Sequence, residues 1–259
     1  MRVVCLYGGL TETVVALERG DTLVARTQAD KTPDLVDLPS VGTHMRPNLE
    51  LIAGLAPDLV LQQGGRTEAL EVVADLERLG VPVALFNPSS FHELFDTMQR
   101  LGVLLDARAQ SLELVSGLQA RLDSVSQALM NGPADASPLV VFEIRYPNLL
   151  CAGQASMVSE IVQRAGGANA VQAPGKVIRL SEEELIRLDP QAYVIQQGPM
   201  NPNPAPLAER PLFRDLACAA NTLVVDEALF SRPGPRSVLA VEQLARFLHP
   251  QCFPQHEEQ

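Results

Sequence analysis

Short runs of β-branched and other apolar residues alternate with segments of helical period along the whole chain, and few folds accommodate that alternation. It is the pattern of successive βαβ units around a parallel sheet. In the first half it predicts strands near residues 3–6, 22–25, 58–61 and 82–85, with helices starting near Thr11, Asn48, Arg66 and Ser90. Ser90 followed by Glu93 has the form of a capping box. Over residues 106–130, apolar positions at Leu112, Val115, Leu118, Leu122, Val125 and Leu129 mark one long amphipathic helix. Residues 131–138, Asn-Gly-Pro-Ala-Asp-Ala-Ser-Pro, then break regular structure. A second series follows, with strands near 139–144, 193–196 and 222–225 and helices from Ser156, Ser181 and about Gly234 to Leu248. The expectation is an α/β protein of two small lobes with mostly parallel sheets, residues 1–105 and 131–259, joined by the helix of residues 106–130.

The two series share an internal repeat. Residues 48–61 (Asn-Leu-Glu-Leu-Ile-Ala-Gly-Leu-Ala-Pro-Asp-Leu-Val-Leu) echo residues 181–194 (Ser-Glu-Glu-Glu-Leu-Ile-Arg-Leu-Asp-Pro-Gln-Ala-Tyr-Val). One constant offset aligns Pro57 with Pro190, Leu55 with Leu188 and Glu50 with Glu183. Each copy is a cap residue, a short helix, a proline where the helix ends and a buried strand. Both glutamates fall at the second helical position, where the positive end of the helix dipole favours an acid, so an ordinary helix start explains either one alone. As a matched pair they describe a pseudo-symmetric surface suited to a pseudo-symmetric or dimeric partner carrying basic residues.

Composition removes other classes of function. With a formal charge of −11 and a pI near 4.8 the chain lacks the basic face that nucleic acid requires. Cys5, Cys151, Cys218 and Cys252 show no C-x-x-C spacing, so they define neither a zinc site nor a disulfide framework, and one incidental disulfide stays open. His44, His92, His249 and His256 are dispersed, and no cluster of His, Asp and Glu suits a bare zinc or manganese ion; only His44 lies in a loop within reach of a site. No apolar run approaches the length of a membrane span. The first strand begins right after Met1, which suggests either a cytoplasmic protein or an exported one whose signal has been removed. The motifs G-x-S-x-G, G-x-x-x-x-G-K and G-x-G-x-x-G are absent, and Glu182–Glu184 is a helix start and not an acid/base pair, so catalysis is not expected.

The stretches Arg2-Val-Val-Cys-Leu6 with Thr11-Glu12, Leu38-Pro-Ser-Val-Gly42, Pro47-Asn-Leu-Glu50, Ala56-Pro-Asp-Leu-Val60, Ala165-Gly-Gly-Ala-Asn169 and Arg232-Pro-Gly-Pro-Arg236 occur in an order and spacing that resembles one family across nearly the whole chain. It is that of the helical-hinge (class III) substrate-binding proteins of ATP-binding-cassette importers for ferric siderophores, cobalamin and haem. The resemblance implies two α/β lobes joined by a single long helix, a ligand held in a cleft between them, and one glutamate per lobe, Glu50 and Glu183, that meets arginines of the membrane permease. It implies a monomeric extracytoplasmic receptor for a metal chelate, with no cofactor of its own; an intracellular carrier or sensor on the same fold is the alternative.

In α/β sheets ligands bind beyond the carboxyl ends of strands. The corresponding loops hold Tyr7-Gly8-Gly9, Gln63-Gly64-Gly65-Arg66, Arg145-Tyr146-Pro147 and Phe230-Ser231-Arg232. Tyr7 could stack on a macrocycle or ligate haem iron as a phenolate, and Tyr146 is the second tyrosine among these candidate ligand-binding residues; Gly8 and Gly65 could let a bulky ligand approach the backbone. Arg66, Arg145 and Arg232 could pair with carboxylate or catecholate oxygens. Glycine pairs that form plain turns, tyrosines that only line a wall and arginines that are ordinary rim charges explain the same residues. Residues 148–153 and the segment from Arg232-Pro-Gly-Pro-Arg236 to His249-Pro250 resemble corrinoid-binding members, whereas Tyr7 and the arginines suit haem or a ferric siderophore equally.

Overall fold

The computed structural model describes residues 1–30, 33–133 and 137–253; His256 and the middle of the predicted 131–138 break lie outside the described residues. The chain divides into two compact units, residues 1–117 and 118–259.

The N-terminal unit is built from β1 (Val3–Cys5), α1 (Gly8–Ala16), β2 (Leu23–Ala25), α2 (Leu49–Gly54), β3 (Leu59–Gln63), α3 (Thr67–Arg78), β4 (Val83–Phe86) and α4 (Phe91–Leu104). Its sheet has the order β2-β1-β3-β4 with every pairing parallel. Strands covered on both faces must be apolar throughout, and β1 shows how that works. Val3 and Cys5 pack with Leu10, Val14, Leu17 and Leu101 on one face, while Val4 and Leu6 pack with Ile52, Val60, Val72 and Leu76 on the other.

Asp106, in the left-handed region at φ 53°, turns the chain after α4 into α5 (Arg108–Asn131). The boundary between the two units falls inside α5, after Gly117. The stripe read from the sequence is buried at Val115, Leu118, Leu122 and Val125 and exposed at Leu112. Arg121 anchors the second half of α5 through a two-pronged ion pair with Glu242, at 2.8 and 2.7 Å.

The C-terminal unit continues with β5 (Leu139–Arg145), β6 (Leu150–Ala152), α6 (Met157–Arg164), β7 (Ala168–Asn169), β8 (Val177–Arg179), α7 (Glu182–Leu188), β9 (Ala192–Gln197), β10 (Thr222–Asp226), α8 (Glu227–Phe230) and α9 (Ser237–Leu248). The sheet order is β10-β9-β5-β6-β8, with β7 also pairing β5. β10, β9, β5 and β7 run parallel, as the sequence pattern implied, but β6 and β8 add two antiparallel pairings. Both are three-residue strands, too short to display a period.

The repeat is carried into three dimensions. β3 lies between β1 and β4, and β9 lies in the same way between β5 and β10. Leu59 of β3 sits opposite Val3, and its repeat partner Ala192 sits opposite Val140. That register makes Leu6 of the N-terminal unit the counterpart of Glu143, and Val60 the counterpart of Tyr193.

Candidate functional site

In the N-terminal unit the carboxyl ends of β1, β3 and β4 carry the candidate residues. Tyr7 follows β1 in extended backbone (φ −142°, ψ 129°) and is the N-cap of α1, with no side-chain capping bond. α1 therefore starts at Gly8, three residues earlier than the pattern suggested, and Gly8 and Gly9 form its first turn, not a loop. A glycine pair lowers helix propensity and reads as a turn, which misplaced the boundary. The side chain of Tyr7 packs on the core and meets His44 edge-on, with ring centroids 5.8 Å apart. Buried Gln62 ties the His44 loop to the end of β3: its Nε2 donates to the His44 carbonyl at 3.2 Å, while its Oε1 accepts from the Gln63 N–H at 2.9 Å. Sequence reasoning set His44 aside; the structure places it beside Tyr7. Gly65 has φ +95°, and a Cβ there would come within 2.7 Å of Asn87 Oδ1 at the end of β4, so this position requires glycine. Arg66, exposed, occupies the N-cap position of α3 without a side-chain capping bond.

In the C-terminal unit Arg145 ends β5 and Tyr146 follows it, joined to Pro147 by a cis peptide. Half-buried Tyr146 has the guanidinium of Arg210 over its ring, 4.1 Å from Cζ to ring centroid, and lies edge-on to Phe213. Neither Arg66 nor Arg145 forms an ion pair or hydrogen bond through its side chain with a described residue. Arg232 differs, because it pairs with Glu227 at 3.6 Å and is only 20% exposed. Glu227 also accepts from the Met200 N–H at 3.4 Å, so this carboxylate joins the loops after β9 and β10. An ordinary structural charge accounts for much of Arg232.

Beneath Tyr146 lies a group that sequence reasoning missed. Glu143, fully buried, accepts from the Tyr193 hydroxyl at 2.7 Å and from both terminal nitrogens of Arg210, which is 3% exposed. Arg210 also donates to the Ala205 carbonyl, at 3.2 Å from Nε and 2.7 Å from Nη2. Burial, reinforced by the Glu143 charge, pushes the Tyr193 hydroxyl well above the usual phenol range. For Arg210 burial works toward a lower value, but the bonds and charge of Glu143 outweigh it and the guanidinium is held above its ordinary range. One signal was visible: a glutamate inside the apolar run Leu-Val-Val-Phe-Glu-Ile.

Glu50 and Glu183 stand at the second position of α2 and α7, both exposed and neither bonded to a described side chain. Asn48 Oδ1 accepts from the Leu51 N–H at 2.9 Å, and Ser181 Oγ accepts from the Glu184 N–H at 3.1 Å. In α7 the box closes, since Glu184 accepts from the Ser181 N–H at 2.8 Å and from its hydroxyl at 3.0 Å. The Ser181 backbone N–H, then its hydroxyl, hold the Glu184 carboxyl below its usual value. The box occupies Glu184 and leaves Glu183 facing outward.

All four cysteines are free thiols, so the incidental disulfide does not form. Among the described residues no group of three or more His, Cys, Asp and Glu could hold a metal ion, and no helix is long and apolar enough to cross a membrane. A hollow of about 430 Å³ lined by Ala16, Glu18, Ala109, Gln110, Glu113 and Leu114 lies at the end of α1 away from Tyr7, apart from the candidate residues.

A family model described as periplasmic binding protein matches residues 3–228. The chain belongs to the periplasmic binding protein family. Its members serve transport and not catalysis, and this binding protein is the ligand-capturing component of an ATP-binding-cassette importer. It is similar to the uncharacterized ABC transporter substrate-binding lipoprotein YvrC of Bacillus subtilis, 24% identical over 97% of this chain and 81% of the relative. The vitamin B12-binding protein of Pectobacterium carotovorum is 26% identical over 94% of this chain and 86% of its own length. The crystal structure of a periplasmic haem-binding protein from Pseudomonas aeruginosa, 26% identical, matches with a TM-score of 0.82 over 98% of this chain and 94% of that one. The two-lobed α/β class expected from the sequence is the class of these relatives.

Proposed function

We propose that this binding protein captures a preformed metal chelate, a ferric siderophore, a corrinoid or haem, outside the cytoplasm and delivers it as a monomer to its permease. The observation that carries this reading is that the strand ends of each unit bear a half-buried tyrosine and an arginine whose side chain pairs with no described residue: Tyr7 with Arg66, and Tyr146 with Arg145. Phenol rings offer flat apolar surface, and free guanidinium groups offer forked donors to carboxylate or catecholate oxygens. Such a set suits an anionic, bulky complex whose metal is already coordinated, and the relatives named for vitamin B12 and haem support that class. Gly8, in the first turn of α1, offers backbone to the ligand, whereas the open side of Gly65 is taken up by Asn87 and serves the turn; Arg232, steadied by Glu227, belongs to the rim of the same loops. Glu50 and Glu183, matched in position and bonded to no described side chain, are the docking contacts for basic residues of the permease.

A thermal-shift titration against cyanocobalamin, haem and ferric catecholate and hydroxamate siderophores tests the reading. A ligand at 100 times its dissociation constant adds about 2.7 kcal/mol of stability. Stabilisation by one class, with a perturbed chelate spectrum, is the expected result; no shift with any of them would contradict it.

A further inference from the structure

The Glu143–Arg210 pair is fully desolvated, and a buried ion pair is weak evidence for stability because apolar side chains of similar volume often serve as well or better. This protein supplies its own comparison. At the corresponding positions the N-terminal unit has Leu6 and Val60, both fully buried and apolar, around the same β1-β3-β4 arrangement. The framework does not need charge there.

What charge adds is directional. Arg210 holds three things at once: the Glu143 carboxylate through a fork, the Ala205 carbonyl through two donors, and the ring of Tyr146 against its face. Apolar side chains could fill the volume without fixing either the loop through Ala205 or the plane of Tyr146. Arg145, whose side chain pairs with no described residue, precedes Tyr146 directly, so a fixed Tyr146 also fixes where the Arg145 guanidinium can reach.

We propose that Arg210, clamped by Glu143, which Tyr193 in turn holds through its hydroxyl, is a positioning residue that sets the Arg145–Tyr146 segment in its ligand-holding arrangement. It acts through Tyr146 without touching the ligand. The inference rests on the receptor reading above and deepens it by naming what preorganises the C-terminal half of the binding loops.

The test uses the full chain, which contains no tryptophan and only three tyrosines, so its near-ultraviolet tyrosine band is governed by Tyr7, Tyr146 and Tyr193. Three variants are compared with wild type: Tyr193→Phe, the triple Glu143→Leu/Tyr193→Phe/Arg210→Met that removes the network without leaving a buried charge, and Arg210→Lys. The triple variant should keep a cooperative thermal transition close to wild type, lose tyrosine circular dichroism relative to Tyr193→Phe, and bind the chelate identified by the titration at least tenfold more weakly. Arg210→Lys keeps the charge but not the fork or the guanidinium over the Tyr146 ring; it should stay folded, also bind at least tenfold more weakly, and decides the matter if the triple variant does not fold. Wild-type affinity in either folded variant, or an unchanged tyrosine band in the triple variant, would overturn the proposal. Silence of wild-type protein toward every chelate would count against the receptor reading instead, and the tyrosine band would still decide whether Arg210 orders Tyr146.

Discussion

The two units answer one packing problem in different ways. Where the N-terminal unit puts Leu6 and Val60, the C-terminal unit puts Glu143 and Tyr193 and brings in Arg210 from a residue 67 positions away from Glu143. The strand ends differ accordingly. In the N-terminal unit small local devices shape the loops, an amide spanning the His44 loop and β3 and a glycine fitted against Asn87. In the C-terminal unit a buried charged network does so. The lesson is that a repeated αβ framework fixes where binding loops emerge, while the polar groups beneath them fix how tightly each loop is set.

The largest expected effect separates the units by stability. Arg210→Ala leaves Glu143 buried and unpaired, at a cost of about 3–5 kcal/mol, whereas Leu6→Ala removes packing at a cost of about 2–5 kcal/mol. Hydrogen exchange should show protection falling first in the C-terminal unit for the former and in the N-terminal unit for the latter. Uniform loss of protection in both variants would break the comparison. Next comes the proposed docking: if Glu50 and Glu183 meet basic residues of the permease, Glu50→Lys and Glu183→Lys each set like charges against one another, and losing a paired interface charge costs about 2–5 kcal/mol. Uptake measured with the reconstituted importer should fall by a similar factor for each reversal and vanish for both together, with ligand affinity unchanged. A loss confined to one site would show that the repeat is structural there.

The smallest effect lies in the caps. Asn48→Ala and Ser181→Ala should each cost about 0.5–2 kcal/mol, with the larger loss at Ser181 because its box closes in both directions. pH distinguishes them. The folded-state carboxyl of Glu184 is depressed by Ser181, so its contribution is present above the unfolded-state value and is lost as pH falls through the folded one. Urea unfolding at stepped acidic pH should therefore show a shallower acid loss in Ser181→Ala and an unaltered one in Asn48→Ala.

The framework was legible because its signals are local. The stripe from Val115 to Val125 defined most of α5, and the proline-terminated repeat located α2 with β3 and α7 with β9. The Ser90 cap formed as read, although Glu93 reaches one residue further back, donated to by the Ser89 N–H at 2.7 Å and its hydroxyl at 2.8 Å. What escaped was short or non-local. β6 and β8 have too few residues to show alternation, and the partner of Glu143 lies in a segment with no pattern linking it to β5. Tyr146 was chosen as a ligand contact from its place after a strand; that it is stacked on a buried cation could come only from the tertiary structure.

Equilibrium dialysis of the stabilising chelate against wild-type protein, Arg66→Ala and Arg145→Ala tests the central claim most directly. A charged hydrogen bond is worth about 1.5–3 kcal/mol, roughly a 10- to 150-fold change in Kd. The account predicts one equivalent bound by wild-type protein and a loss of that order in both variants, one from each unit. Retention of full affinity in both variants, or no chelate retained by the wild-type protein, would contradict it.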